Sequence, residues 1–138
     1  MNIVYSYFVL DIVHRGHLLM LKNSKAIAGP DGRLIVGIVS DEAVVAKKGK
    51  APILDFSERL ELANSIQYVD AVVGQQNYTP YENVTNIAPN ILMESESHDE
   101  AQINEGRRLM KELGGRVIVM PYFHDQSSTL IKSKITAV

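Results

Sequence analysis

The sequence predicts an α/β fold, with a five-stranded parallel sheet and helices on both faces, in a single domain of residues 1–138. Short apolar runs alternate along the chain with segments of helical periodicity, which is the pattern of βαβ units. The run at residues 33–39 is apolar almost throughout, as in a parallel strand covered on both faces. A length of 138 residues suits one domain with one core, and the predicted architecture is Rossmann-like.

Five strands and five helices are expected in alternation. The strands are expected at residues 3–9, 33–39, 69–73, 90–93 and 116–120. The helices are expected at residues 16–28, 41–46, 55–66, 97–113 and 127–135. Asp55 followed by Glu58, and Ser97 followed by Glu100, have the spacing of capping boxes at helix starts. Gly114 marks a helix end, because glycine readily adopts the backbone conformation that closes a helix.

Composition narrows the classes of partner and environment. The formal net charge is −2, which argues against a nucleic-acid-binding protein. The chain has no cysteine, which excludes disulfides, thiolate metal ligands and a cysteine nucleophile. The apolar start at residues 3–10 is too short to span a membrane and lacks the features of a secretory signal. We therefore expect a cytoplasmic protein with neither a nucleic acid nor a membrane as partner.

The most informative motif is His14-Arg15-Gly16-His17, which follows the first strand and opens the first helix. Two histidines three residues apart face the same way at a helix start. Gly16 lets a bulky ligand approach the backbone, and the free N–H groups of a helix N-terminus favour an anion. Imidazoles that donate hydrogen bonds can stabilise the charge that develops in phosphoryl-type transfer. When the motif is considered by itself, two other interpretations remain open: a metal-binding histidine pair and a chance match.

Three further segments accompany this motif in order and spacing. These segments are residues 34–42 (LIVGIVSDE), residues 47–59, which carry several lysines before Glu58-Arg59, and residues 127–129 (SST). Together they resemble the cytidylyltransferase branch of the HxGH nucleotidyltransferases, in particular the glycerol-3-phosphate cytidylyltransferases. There the same order runs from a second strand with Ser/Thr-Asp-Glu, through a lysine-bearing loop, to a Ser-Thr-Thr helix start. The resemblance covers nearly the whole chain.

The resemblance implies a role for each group of residues. The catalytic residues would be His14, His17 and Lys47. The nucleotide would contact Phe8, Val9, Asp11, Gly16, Met93, Ser127, Ser128 and Thr129. Phosphates of the donor or acceptor would bind Lys47, Lys48, Lys50 and Arg59. CTP is the implied donor, Mg²⁺ would be bound mainly through the triphosphate without a metal site made by the protein, and the protein would be a homodimer.

The sequence departs from the family pattern where phosphate-binding arginines are expected. Gln67 and Tyr122 stand at those two positions, and residues 94–98 (ESESH) replace a Gly-Asp-Asp-like turn. A changed set of cations suggests a changed acceptor. Residues 93–98 and 121–129 also resemble segments of nucleotidyltransferases associated with phosphonate metabolism. That resemblance makes a small phosphonate, such as phosphonoformate or an alkyl phosphonate, the leading hypothesis, followed by glycerol 3-phosphate and then phosphocholine-like acceptors. His98 and His124 lie in loops after strands and could approach the site.

Three other functions compete with cytidylyl transfer. One is an adenylyltransferase of the same superfamily, although the lysine-bearing segment looks more like the cytidylyl branch. Another is a nucleotide-binding sensor without activity, which the missing arginines favour and the intact HxGH argues against. A non-catalytic interaction module would leave four polar motifs unexplained.

Overall fold

A computed structural model describes residues 1–122 and 127–136 of the chain. The strands are β1 (Ile3–Phe8), β2 (Arg33–Val39), β3 (Ala71–Gln75), β4 (Ile91–Ser95) and β5 (Arg116–Met120). The helices are α1 (Arg15–Ala28), α2 (Asp41–Lys48), α3 (Phe56–Asn64), α4 (Tyr81–Ile87), α5 (Glu100–Glu112) and α6 (Ser128–Thr136). No helix within the described ranges is long and apolar enough to cross a membrane.

The five strands form one parallel sheet in the order β3-β2-β1-β4-β5. From β1 the chain first extends the sheet on one side, through β2 and β3. It then returns to the other side of β1 and continues through β4 and β5. The strand order therefore reverses between β1 and β4, and open α/β sheets bind ligands beyond the carboxyl ends of the strands at such a point. The predicted α/β fold is confirmed.

Both faces of the sheet are covered, and this positions the carboxyl ends of β1 and β4. Alternate side chains of β1 point to opposite faces, so Val4 packs with Leu21 of α1, while Tyr5 packs in a second cluster. Helices α1 and α3 contact the sheet on the first side. The second cluster includes Val84 of α4 and Met110 of α5. Burial on two sides explains why the central strands are apolar runs.

The predicted elements differ from the observed ones mainly at their ends. Strand β3 is shifted by two residues relative to the predicted 69–73, and α3 ends at Asn64 where residue 66 was expected. Asp55 caps α3 as predicted, since its side chain accepts from the backbone N–H of Glu58. Helix α4 was not predicted, because its seven residues have little periodicity and its cap, Pro80, makes no side-chain hydrogen bond.

Two predictions about helix ends were wrong. The N-cap of α5 is Asp99, whose carboxylate accepts from the backbone N–H of Ala101, so Ser97 does not cap this helix. Helix α2 continues through Lys47 and Lys48, which were expected in a loop. Its left-handed C-cap is Gly49, and two lysines in the last turn interact favourably with the helix dipole.

Candidate active site

The two histidines of the HxGH motif are stacked at the N-terminus of α1. Their ring centroids lie 3.9 Å apart, at an interplanar angle of 30°. The backbone N–H of Gly16 donates to Nδ1 of His14 at 3.0 Å, and that of His14 donates to Nδ1 of His17 at 3.2 Å. A backbone N–H can only donate, so each Nδ1 is an acceptor and each neutral ring carries its proton on Nε2. The pair thus presents two Nε2–H donors.

Both rings are neutral near pH 7. Burial, reinforced by the neighbouring His14, lowers the pKa of His17 to about 3. Burial also lowers the pKa of His14. In the free protein the pair therefore offers hydrogen-bond donors rather than a full positive charge.

The same tautomers argue against a metal-binding histidine pair. A metal ion needs a lone pair, and the lone pair of each ring is turned towards a backbone N–H, so Nε2 of His14 and His17 carries hydrogen. Within residues 1–122 and 127–136, no group of three or more histidine or acidic side chains is arranged to hold a metal ion. A divalent ion carried by a triphosphate needs few protein ligands.

A cavity of about 440 Å³ opens at the reversal point of the sheet. It is lined by the carboxyl ends of β1, β4 and β5 and by the first half of α1. Of the predicted site residues, Phe8, Gly16, His17 and Met93 line it. The fold thus brings predicted site residues from β1, α1 and β4 to one cavity, and their catalytic and binding roles stay predictions.

Asp11 does not line this cavity and is held by structural contacts. Its buried carboxylate accepts from the backbone N–H groups of Ile53 at 2.9 Å and Leu54 at 2.8 Å, and from the ammonium of Lys132. Burial alone would raise the pKa of Asp11, but these three partners hold it below its ordinary value. Leu10, which precedes it, is left-handed with a φ of 59° and is anchored by its buried side chain. Nucleotide binding by Asp11 stays a prediction.

The start of α6 lies against the loop that leads into α1. The hydroxyl of Ser128 donates to the carbonyl of Ile12 at 3.0 Å. The hydroxyl of Ser127 accepts from the backbone N–H of Leu130 at 3.0 Å and so caps the helix, while Thr129 is exposed. A helix N-terminus is a favourable place for an anion. The fold therefore brings the predicted Ser-Ser-Thr stretch to the loop before the histidines, and its contact with phosphates stays a prediction.

Arg59 does not have the free guanidinium that its predicted phosphate-binding role requires. The side chain is fully buried. Nε donates to the carbonyl of Leu54 at 3.0 Å, NH1 to the carbonyl of Val9 at 2.7 Å, and NH2 to a carboxylate oxygen of Asp41 at 2.7 Å. These bonds join the end of β1 to the starts of α2 and α3. The carbonyl of Val9, a residue predicted to contact the nucleotide, thus accepts from Arg59. We interpret Arg59 as a positioning residue.

The three lysines lie near the end of α2 and are exposed. Lys47 and Lys48 form the last turn, and Lys50 follows the cap. The ammonium of Lys47 lies 5.8 Å from the ring centre of Tyr78, a cation–π contact. None of the three lines the cavity at the histidines, so their predicted contacts with phosphate stay predictions.

The sequence reasoning named His98 as a residue near the site but missed the polar cluster that holds it beside the cavity. Glu94 is fully buried in β4, where it accepts from the hydroxyl of Tyr7 at 2.8 and 3.0 Å. Gln102 donates to that hydroxyl at 2.5 Å, and Nδ1 of His98 contacts the Glu94 carboxylate. Burial, followed by the charge of Glu94, raises the pKa of Tyr7. The sequence contained one signal for this cluster, namely a glutamate that directly continues the apolar strand predicted at residues 90–93.

Comparisons with known proteins show what the chain is similar to. Residues 9–134 match the family model described as Cytidylyltransferase-like. The chain is 34% identical over 128 residues to an FAD synthase of Korarchaeum cryptofilum, covering 91% of this chain and 85% of that protein. It is 28% identical over 135 residues to a D-beta-D-heptose 1-phosphate adenylyltransferase of Bordetella bronchiseptica, covering 96% and 81% respectively. Several other relatives are longer bifunctional proteins, of which the chain spans about 28%.

A solved structure has the same fold. It is a lipopolysaccharide core biosynthesis protein from Thermoplasma volcanium, with a TM-score of 0.70 and 28% sequence identity. The alignment covers 89% of this chain and 97% of that one.

Proposed function

The chain belongs to the cytidylyltransferase-like family and is a nucleotidyltransferase, and from this premise we propose that it transfers AMP from ATP to a small phosphorylated acceptor. The reaction forms a bond between an acceptor phosphate oxygen and the α-phosphorus of ATP. The bond between that phosphorus and the bridging oxygen to the β-phosphate breaks, and pyrophosphate leaves with the bond electrons. An ionised acceptor phosphate needs no general base for this step.

The observation that carries the proposal is the histidine pair with its fixed tautomers. The Nε2–H groups of His14 and His17 belong to rings that need not lose or gain a proton to act. Donors held in advance of the reaction stabilise the charge that grows on the phosphate oxygens in the transition state. The N-terminus of α1 adds partial positive charge at the same place.

ATP is the proposed donor because the two curated relatives described above are named for FAD synthesis and for adenylyl transfer. The expectation of CTP came from the resemblance to the cytidylyltransferase branch, which residues 47–59 favoured over the adenylyl branch, and it has no support in these relatives. Cytidylyl transfer to a phosphonate is therefore the second candidate. The observation in its favour is the replacement of two expected arginines by Gln67 and Tyr122.

The proposed acceptors are phosphate monoesters. One relative is named for heptose 1-phosphate, and FAD differs from FMN by one AMP unit, so a sugar 1-phosphate and FMN come first. Glycerol 3-phosphate and small phosphonates follow. Mg²⁺ would enter with the triphosphate and offset its charge, since the described residues offer no cluster of metal ligands. A homodimer is part of the proposal and is tested by light scattering.

The decisive experiment measures pyrophosphate release for ATP, CTP, GTP and UTP against these acceptors, with and without Mg²⁺. We expect the highest kcat/KM for ATP with one of the phosphate monoesters, and phosphorus NMR of the product should show a diphosphate linkage. The His14→Ala variant serves as the control for contaminating activity.

The outcomes separate the candidates. A preference for CTP with a phosphonate, which would give a phosphonate–phosphate anhydride, would replace the first candidate by the second. Binding of a triphosphate without release of pyrophosphate from any acceptor would favour a nucleotide-binding sensor.

A further inference from the structure

The cluster of Glu94, Tyr7, His98 and Gln102, here called the Glu94 cluster, has no role in the transfer step described above. It lies beside the chemistry, because Tyr7 and His98 line the same cavity as His17. Glu94 is fully buried, whereas the side chain of His98 is 30% exposed. Burying a carboxylate costs free energy unless it is hydrogen-bonded or paired, and here its partners are the other members of the cluster. The cluster therefore holds one imidazole at the cavity wall in a fixed orientation.

The hydrogen bonds of the cluster run in one direction. The amide nitrogen of Gln102 donates to the hydroxyl of Tyr7, so that hydroxyl uses its own proton to donate to Glu94. That hydroxyl lies within hydrogen-bond distance of both carboxylate oxygens of Glu94, which accept from it. A carboxylate oxygen only accepts, so Nδ1 of His98, which contacts this carboxylate, is assigned as the donor.

A second contact of Nδ1 would instead make this nitrogen an acceptor. The backbone N–H of Ser95 lies 3.2 Å from Nδ1 of His98. The charged partner determines the tautomer, because a hydrogen bond to an ionised carboxylate is roughly twice as strong as a neutral one. When His98 is neutral, its proton is therefore on Nδ1, and Nε2 presents a lone pair. Within the described ranges, Nε2 has no hydrogen-bond partner.

The cavity at this point suits a nucleobase. Phe8, Met93 and Met120 supply apolar wall, while Ser95 and His98 supply polar groups at one edge. Small-molecule sites combine an apolar lining with a few placed polar groups in this way. A flat base packed against the apolar wall would turn its polar edge towards His98.

We propose that Nε2 of His98, held as an acceptor by Glu94, reads the exocyclic amino group of the nucleobase, an inference that rests on the proposed function. Adenine and cytosine present an N–H donor at this place, whereas hypoxanthine and uracil present a carbonyl oxygen. Two facing acceptors repel each other. The device accepts the amino bases of both candidate donors, ATP and CTP, and rejects keto bases. His98 is the specificity-determining residue and Glu94 is its positioning residue.

The test compares kcat/KM within two matched pairs, ATP against ITP and CTP against UTP, at about pH 8, above the ordinary histidine pKa of about 6.5. Each pair differs in the amino or keto group and in the protonation of the adjacent ring nitrogen. Wild type should prefer the amino member of the pair it uses by about tenfold or more, the usual effect of one unmade hydrogen bond in a buried site. His98→Ala should reduce that ratio to about threefold or less.

Glu94→Gln gives the sharper result. Tyr7 would donate to the amide oxygen of Gln, which leaves the amide N–H₂ facing Nδ1 of His98. Nδ1 then becomes the acceptor and Nε2 the donor, so the preference should shift towards the keto base by about tenfold or more. Glu105→Gln, the same change at an exposed position on α5, should leave the ratio at its wild-type value. A merely structural role for Glu94 would lower activity with all four triphosphates alike.

Failure of the proposed function and failure of the proposal about His98 give different results. If wild type neither binds nor turns over any triphosphate, the proposed function fails. If wild type is active but His98→Ala keeps the full amino-to-keto ratio, the proposal about His98 is overturned and the function stands. A raised KM for the acceptor in His98→Ala, with an unchanged base ratio, would also overturn it and would assign the cavity to the acceptor. If Glu94→Gln does not fold, the His98→Ala ratio decides.

Discussion

Replacing Arg59 tests whether this arginine binds phosphate, as the family resemblance implies, or fastens the loops under the site. Its guanidinium is fully buried and donates to Leu54, Val9 and Asp41. Arg59→Ala removes all three donors at once. Two backbone carbonyls and one carboxylate oxygen then lose a partner, and the volume of the side chain is left empty.

The magnitude follows from the ion pair and its surroundings. Removing one partner of a buried ion pair costs about 3–5 kcal/mol. Asp41 is partly exposed, so water can hydrate its carboxylate in the variant and lower this cost in free energy. The volume that the arginine side chain leaves empty raises the cost. A change of 1 kcal/mol shifts the melting temperature of a domain of this size by about 3–5 °C, so we expect a fall of about 10–20 °C.

Thermal and urea unfolding measure the change in stability, and steady-state kinetics measure the change in kcat and KM. Arg59→Lys should lie between wild type and Arg59→Ala, because one ammonium can replace only part of the planar set of donors. Arg108→Ala is the matched control, since Arg108 pairs with Glu105 and Glu112 on the exposed face of α5. Its melting temperature should stay close to that of wild type.

A specific result would refute this reasoning. If Arg59→Ala keeps the wild-type melting temperature and raises only the KM of the acceptor, the guanidinium contacts substrate in the working enzyme. The loops would then have to rearrange, and the phosphate-binding role implied by the resemblance would be correct.

Three further predictions concern the histidines and the lysines. His14→Ala or His17→Ala should lower kcat by about 10²-fold, the usual cost of losing one transition-state donor, with a smaller effect on nucleotide binding by calorimetry; wild-type turnover would remove the core of the mechanism. Because the pKa of His17 falls to about 3 on folding, the unfolded chain takes up that proton first, so stability should fall as pH drops from about 6.5 towards 3. His17→Gln, which can still accept at this capping position, should lose less melting temperature between pH 7 and 4, and an equal loss would refute the burial effect. Replacing Lys47, Lys48 and Lys50 singly with methionine should raise the KM of a substrate for whichever lysine meets phosphate, and three unchanged KM values would make the segment an ordinary exposed helix end.

The local elements could be predicted because their causes are local in the chain. The apolar run of β2 and the cap at Asp55 follow from neighbouring residues, and both are confirmed. The position of the HxGH motif between β1 and α1 is local as well, so the end of the sheet that carries the candidate site was also predictable. Helix α4 has no such signal, since seven residues gain most of their stability from packing, here through the buried side chain of Val84.

The sequence by itself determined the alternation of strands and helices, the parallel sheet and the histidine motif at a helix start. Only the tertiary structure decided which strands are neighbours, and so that the strand order reverses beside β1. It also decided the state of each polar group, since hydrogen-bond partners come from distant parts of the chain. The sequence suggests a free cation at Arg59, but its guanidinium donates to three acceptors, of which Val9 and Asp41 are distant in the chain. The sequence suggests a turn at Glu94, but this side chain is buried against Tyr7 and His98. The physical reason is that burial and pairing are properties of the packed neighbourhood, whereas capping and periodicity are properties of the local chain.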